Sequence, residues 1–493
     1  MYGCSGIPGR WGGRGRREMG RLRQQFQNSL PCVTGCQLCT TALAVRVTLA
    51  VVLRPYHAPP LFFGAVLSCA LLPRVHLETI TMENTMNGCL NGVRVLDMTR
   101  VLAGPWSTQI LADLGAEVIK IERPGKGDET RSAGPPFMRD RDGNELTDAA
   151  YYLSTNRGKK SVAVNISVAE GQDIIRKLAA TSDVLIENFL VGTLEKYGLG
   201  YEDLRKINPR LIFCSITGYG QTGPYSKRGG YDFVFQALGG MMSITGEKGG
   251  IPQKVGVAVS DLMTGLYSTI AIQAALAHRE KTGLGQHIDM ALLDVQVATL
   301  ANMNMNYLYS GNTPQRMGNA HANLVPYQAF ECEDGYIVVA AGNDNLFGRL
   351  CRALDLPDLA NDPMFATNPM RVRNRVPLIA KLEALFLKGS MASFLEKLEE
   401  FGVPCAPIND IAHVFEDPQV QHRNMKFEVE HPAGGSIPMI ANPIRFSEAE
   451  LTYRAPPMLA EHTEDVLGDL LKMDSDTLDR LAADGIIQRR EKS

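Results

Sequence analysis

From Asn91 onward the chain alternates short apolar runs of strand length with segments of helical periodicity, and this alternation restricts the fold more than any other feature. Val93-Arg94-Val95-Leu96-Asp97-Met98 has the character of a buried strand. Ala103-Gly104-Pro105 follows as a turn whose proline is placed to open a helix. Ser107–Leu114 carries apolar residues at helical spacing, Gly115 ends the helix, and Glu117–Ile121 reads as a second strand. This is a βαβ unit with a short crossover. The pattern continues with a helix around Gly171–Ala180, a strand Asp183–Glu187, a helix Thr193–Lys196 and a strand Leu211–Ser215. Beyond Gly229-Gly230 the spacing predicts a strand Val255–Val259, a helix Leu262–Ala277 and a strand His287–Leu293. Such alternation predicts an α/β fold, a Rossmann-like parallel sheet covered by helices on both faces.

The character changes near residues 305–325, where Ser310-Gly311-Asn312-Thr313-Pro314 loosens the composition. Tyr327–Cys332, Asp334-Gly335 and Tyr336–Ala341 predict a hairpin with the turn chemistry of a tight reversal. Helices are expected at 343–355, 371–387 and 391–401. Phe427–Phe446 alternates like strands, and Thr463–Leu471 and Asp474–Ala483 are predicted helices with acidic starts. The predicted organisation is a leader over 1–89, a large domain beginning at 90–314, a smaller α+β domain at 315–415 and a return to the large domain over 416–493.

Charge separates the leader from the body. The 493 residues carry a formal net charge of −3, which gives no case for a nucleic-acid partner. Residues 1–77 contain nine arginines, no lysine and only one acid, Glu18, so the body is mildly acidic. An Arg-rich, acid-poor opening reads as a targeting segment that directs the chain to the mitochondrial matrix, or leaves it cytoplasmic if translation starts near Met82. Thr41–Leu53 and Leu61–Leu72 are each too short to span a bilayer, so no stable membrane insertion is expected. Cys36 and Cys39 have metal-ligand spacing but no second pair at a usable distance. The scattered Cys214, Cys332, Cys351 and Cys405 suit a reducing compartment rather than a disulfide framework.

The body has no Walker-A loop, no HExxH pair and no GxSxG elbow. Gly218-Tyr219-Gly220-Gln221-Thr222-Gly223 matches GxGxxG after a strand, but it runs into Pro224 instead of opening a helix. It is therefore read as a glycine-rich loop without the anion-binding helix N-terminus that a dinucleotide site requires.

Several long motifs in order carry a resemblance. Leu90–Pro105, Leu114–Asp128, Asn156-Arg157-Gly158-Lys159-Lys160-Ser161, Val184–Phe189, Ser215–Pro224 and Glu461-His462-Thr463-Glu464-Asp465 together resemble the class III CoA-transferases, the formyl-CoA and carnitine-CoA transferase group. Ala460 stands where the family usually has glycine. The resemblance covers about residues 90–485. Gly134–Phe137, Tyr197–Asp203 and Val325–Phe330 are similar to the branch that moves CoA from succinyl-CoA to glutarate or hydroxymethylglutarate. It implies that an acyl-CoA and a free dicarboxylic acid are the substrates, that CoA enters as the thioester with no permanent cofactor and no metal, and that the chain forms an interlocked homodimer.

The resemblance places the catalytic carboxylate at Asp261. An aspartate between an apolar strand and a long helix is also where backbone N–H groups and the helix dipole favour the charged form that a carboxylate nucleophile needs. The plain alternative is a helix N-cap. Carried over for CoA are Arg123, Asn188, Phe189 and Lys196, with solvated charges or core packing as their alternatives. Arg157 and Arg131 are the candidates for the distal carboxylate of the acid, because arginine's planar fork suits a carboxylate, with a surface ion pair, worth little, as the plain alternative for both. Tyr231 is a candidate for the acyl pocket, with simple packing as its alternative.

Two rivals remain. An α-methylacyl-CoA racemase of the same fold needs a histidine in a Gly-His-Asp segment, which here reads Gly230-Tyr231-Asp232, and tyrosine exchanges protons poorly near neutral pH. A non-catalytic CoA-binding protein predicts a lost nucleophile, and Asp261 is present. The segment Met317-Gly318-Asn319-Ala320-His321 lacks the glycine run of formyl-CoA transferases, which disfavours formyl and oxalate substrates.

Overall fold

A computed structural model describes residues 88–490. The leader, its cysteines and its apolar runs lie outside the described residues, apart from Cys89, which is exposed.

Seven strands form the main sheet, in the order Ile487–Gln488, Lys159–Val164, Glu117–Glu122, Arg94–Asp97, Val184–Glu187, Ile212–Thr217, His287–Ala291. All pair in parallel except the short C-terminal strand Ile487–Gln488, which is antiparallel at one edge. The chain adds strands outward on one side of Arg94–Asp97, then crosses to its other side, so strand order reverses beside this central strand. Crevices at the carboxyl ends of strands at such a reversal bind ligands in open α/β sheets.

Each face of the sheet is sealed by its own apolar core. On one face Leu96, Ile119, Leu185 and Phe213 meet Ile174, Leu178, Leu467 and Leu481 from the helices Ala169–Ala180, Thr463–Leu471 and Ser475–Ala483. On the other, Val95, Val118 and Ile186 meet Leu111 of the helix Ala103–Asp113 and Ile272 of the helix Val259–Thr282. Each such side chain removed from water is worth about 1.5–3 kcal/mol. Gly265 lets the last two helices approach, since a Cβ there would stand 2.6 Å from the Ala103 carbonyl oxygen.

A separate apolar core gathers Val325, Phe330, Ile337, Phe347, Leu382 and Leu398. It is built from the hairpin Tyr327–Cys332 and Gly335–Ala340, the strand Cys405–Pro407 and the surrounding helices. Fully buried Arg371 ties it together, donating to the carbonyls of Val325, Phe365 and Gly342 and pairing with Asp344.

Three local expectations are corrected. Val255–Val259 is not a strand: His287–Ala291 occupies the place beside Ile212–Thr217, and the Val255 N–H goes to Gln236 Oε1 at 2.8 Å. The helix Val259–Thr282 begins at the last residue of that segment. The turn at Thr193–Lys196 is a single 3₁₀ turn, Glu195–Tyr197. The helix expected over 371–387 is two, Asn368–Arg373 and Arg375–Phe386, broken where Pro377 lacks an N–H and its ring excludes the Arg373 carbonyl.

Candidate active site

Two neighbouring cavities open beside the sheet reversal. The first, about 590 Å³, is lined by Arg123, Asn165, Ser167, Phe189 and Tyr197, the second, about 750 Å³, by Asn188, Arg228, Tyr231 and Asp261. Arg100, Glu129 and Phe189 belong to both walls.

The shared wall is held from below by buried charge. Asp97 ends the central strand and accepts from the Thr99 N–H at 2.9 Å, the Thr108 hydroxyl at 2.6 Å and the Lys159 ammonium at 3.1 Å. Burial alone would raise its pKa, but Lys159 and Lys120 together hold it below the ordinary carboxylate value. Lys120, also buried, donates to the Thr99 carbonyl and to Asp128, both at 2.9 Å. Asp128 is pulled down to about 2, with burial opposed chiefly by Lys120 and by the Thr130 N–H. These bonds fix both ends of the loop that presents Arg100. Asn188 completes the clamp: its Oδ1 accepts from the Arg100 N–H at 3.0 Å and its Nδ2 donates to the Arg100 carbonyl at 2.8 Å. The Arg100 guanidinium then lies 5.2 Å from the centre of the Phe189 ring and 2.6 Å from Glu129.

Asp261 is the third residue of the helix Val259–Thr282 and is half-buried in the wall of the second cavity. It is not the N-cap, a position taken by Ala258. Asp232 reaches that helix end from the neighbouring helix Asp232–Leu238, accepting from the Ser260 N–H at 2.8 Å and from Gln236 Nε2 at 2.7 Å. The expectation that the helix terminus would favour a charged Asp261 is overturned. Burial first, and then the Asp232 carboxylate, push its pKa up to about 7. Tyr151, on the same wall, is likewise raised by burial and by the charge of Asp261.

The remaining predicted residues divide. Arg123, Phe189, Asn188 and Tyr231 line the cavities, with Tyr231 71% exposed. Asn188 is committed to the Arg100 backbone, so its role is to position that residue. Lys196 is exposed on its 3₁₀ turn and lies in neither cavity wall, which there consists of Thr193 and Tyr197. Arg157 and Arg131 are closed to a substrate. Arg157 is buried and paired with Asp113 through bonds of 2.8 and 2.6 Å, its third donor going to the Ile440 carbonyl. Arg131 is enclosed by Glu122, Asp148, the Tyr152 hydroxyl and the Pro457 carbonyl. Both are structural.

Sequence reasoning passes over Arg100, Arg228 and Tyr151 as site residues, and offers Asp232 only as an alternative nucleophile rather than as the residue that holds the helix end. Arg100 sits inside the first motif and Arg228 immediately before Gly229-Gly230, so position in the motifs was the signal available.

A family model described as CoA-transferase family III matches residues 90–463. The chain is 50% identical over 394 residues to succinate–glutarate CoA-transferase of Agrobacterium fabrum, covering 80% of this chain and 97% of that protein. It is 48% identical over 403 residues to human succinyl-CoA:glutarate CoA-transferase, covering 82% and 90%. Among solved structures, a CAIB/BAIF family protein from Brucella suis superposes with a TM-score of 0.69 at 50% identity, over 78% of this chain and all of that one.

Proposed function

The chain belongs to CoA-transferase family III, and from that premise we propose that it moves CoA from succinyl-CoA to glutarate through Asp261. The family takes the CoA thioester as substrate and holds no permanent cofactor. The observation that carries the reading is the position of Asp261. It is a half-buried carboxylate at the start of a long helix, in a cavity that shares a wall with a second one at the strand-order reversal. A cavity pair of this kind suits a substrate with a long nucleotide tail and a small acyl end.

In the proposed sequence an Asp261 oxygen attacks the acyl carbon of succinyl-CoA, the C–O bond forms, the C–S bond breaks, and CoA leaves as thiolate. The thiolate attacks the aspartyl carbonyl of the resulting mixed anhydride, giving aspartyl-CoA and free succinate. A glutarate carboxylate then attacks aspartyl-CoA, releasing thiolate once more, and the thiolate takes the glutaryl group and restores Asp261. Thioester energy is retained throughout. Arg123, exposed in the first cavity, is placed to meet a phosphate of the nucleotide, and Phe189 to pack between the tail and the acyl end.

Residues 90–314 with 416–493 are proposed as the CoA-binding domain and 315–415 as the smaller one, supported by the separate apolar core over Val325–Val403. An interlocked homodimer is proposed from the family resemblance, and a mitochondrial matrix location from the Arg-rich opening. Among the described residues no helix is long and apolar enough to cross a membrane. The reading is tested by incubating the purified protein with succinyl-CoA and glutarate and measuring glutaryl-CoA. A CoA adduct on the peptide spanning Asp261 is expected with succinyl-CoA alone, and an adduct on another peptide would reassign the nucleophile.

A further inference from the structure

An enzyme that selects dicarboxylic acids must neutralise a second carboxylate while the first one reacts. The cation cannot come from Arg131 or Arg157, whose donors are spent inside the protein. Two guanidinium groups line the cavity that contains Asp261. Arg100 is held by Glu129 at 2.6 Å, and its backbone is clamped by Asn188. Arg228 differs. It is exposed, and among the described residues no acid lies within ion-pair distance of it. Its guanidinium instead lies 4.0 Å from the centre of the Tyr225 ring.

We propose that Arg228 binds the distal carboxylate of the dicarboxylic substrate while the other carboxyl end reacts at Asp261, an assignment that rests on the CoA-transfer reading above. A cation stacked on an aromatic face uses its π surface and leaves the in-plane N–H donors free for a carboxylate's paired oxygens. The stack is also anchored. Tyr225 meets Tyr219 edge to face at 5.5 Å, and Tyr219 meets Phe235 at 5.2 Å. Phe235 is fully buried and belongs to the same helix as Asp232, which caps the helix of Asp261. One rigid aromatic chain thus connects the cation to the element that sets the nucleophile's position. Gly230 is needed for this arrangement, because a Cβ there would stand 2.6 Å from the Phe235 ring.

The test compares glutarate with pentanoate, which replaces the distal carboxylate by a methyl group, as CoA acceptors for the wild type, Arg228→Gln and Arg228→Lys. Wild type is expected to prefer glutarate. Arg228→Gln should lower kcat/KM for glutarate by roughly 30- to 100-fold, mainly through KM, while changing pentanoate less than about threefold. Arg228→Lys should recover part of the loss, since it keeps the charge without the fork. Equal losses for both acids, or an unchanged glutarate KM, would overturn the assignment. If wild type moves CoA to neither acid, the CoA-transfer reading fails instead. Arg228 is exposed and takes no part in the buried core, so the variants should stay folded, which circular dichroism checks.

Discussion

The Asp232 carboxylate accepts the backbone N–H of Ser260 at 2.8 Å, so one aspartate caps the helix on which the next residue, Asp261, stands as the proposed nucleophile. The same contact that fixes Asp261 brings a like charge near it, and that charge adds to burial in raising its pKa. Geometry and reactivity are therefore coupled at this position. Gln236 strengthens the coupling, since its amide donates to Asp232 while its oxygen accepts from Val255.

Replacing Asp232 with asparagine should separate these effects. Two donors converge on Asp232, and Gln236 cannot turn its amide without losing Val255, so the asparagine side chain would place its NH₂ group against one of them. A loss of about 1–2 kcal/mol in stability is expected, read as a lower melting temperature. Removing the charge should also lower the pKa of Asp261 and move the acid limb of its adduct-formation profile to lower pH. A limb that stays in place would show that burial alone sets the reactivity.

Asp261 itself should titrate near neutrality, because its pKa is raised to about 7. The ionised form is the proposed nucleophile, so single-turnover formation of the CoA adduct should fall about tenfold per pH unit below that value. Asp261→Asn should abolish turnover and still bind CoA. The stability effect follows from the same shift: a raised folded pKa favours the neutral carboxyl, and that contribution is present at low pH and lost as pH rises through about 7. The Asp261→Asn variant should therefore melt above wild type at pH 8 and close to it only below about pH 4.

Arg157 predicts the opposite kind of behaviour from a substrate ligand. Its guanidinium is paired with Asp113, buried, with Asn442 donating to the same carboxylate at 2.9 Å. Burial already tends to raise the pKa of Asp113, and Arg157 opposes that rise. Arg157→Ala would leave the acid unpaired and should cost about 3–5 kcal/mol, seen as poor soluble yield or a large fall in melting temperature. A folded variant with only a raised KM for glutarate would return Arg157 to the substrate site.

The alternation of strands and helices was legible because buried parallel strands leave long apolar runs, and Gly115 and Pro105 mark one helix clearly. The Lys159–Val164 strand was not read, since its opening lysines resemble a solvated turn; Lys159 is in fact buried against Asp97. The misassigned arginines failed for a related reason. Arg157 finds its acid 44 residues away and Arg131 reaches a carbonyl 326 residues away, so local sequence shows a free charge where the fold has none. The place of Asp261 near the start of a long helix was legible, but not its protonation, which depends first on burial and then on Asp232 arriving from another helix.

Glu187 offers a test of the wall itself. It ends the strand Val184–Glu187, is buried, and accepts the Phe189 N–H at 2.8 Å, which orients the residue shared by both cavities. Burial pushes its pKa up to about 7 against the opposing pull of the Ser215 hydroxyl and the Phe189 N–H. Its unfolded value is about 4.3, so the folded state favours the neutral acid; this stabilisation is complete below about pH 4 and lost as pH rises through about 7. Glu187→Gln keeps a carbonyl oxygen for Phe189 and cannot ionise. Wild type should therefore lose roughly 3–4 kcal/mol relative to the variant between pH 4 and pH 8, measured by denaturant unfolding at each pH. The variant should keep CoA affinity at both pH values if the Phe189 contact needs only an acceptor. A variant less stable at pH 8 would mean that the ionised carboxylate is held by partners strong enough to outweigh its burial.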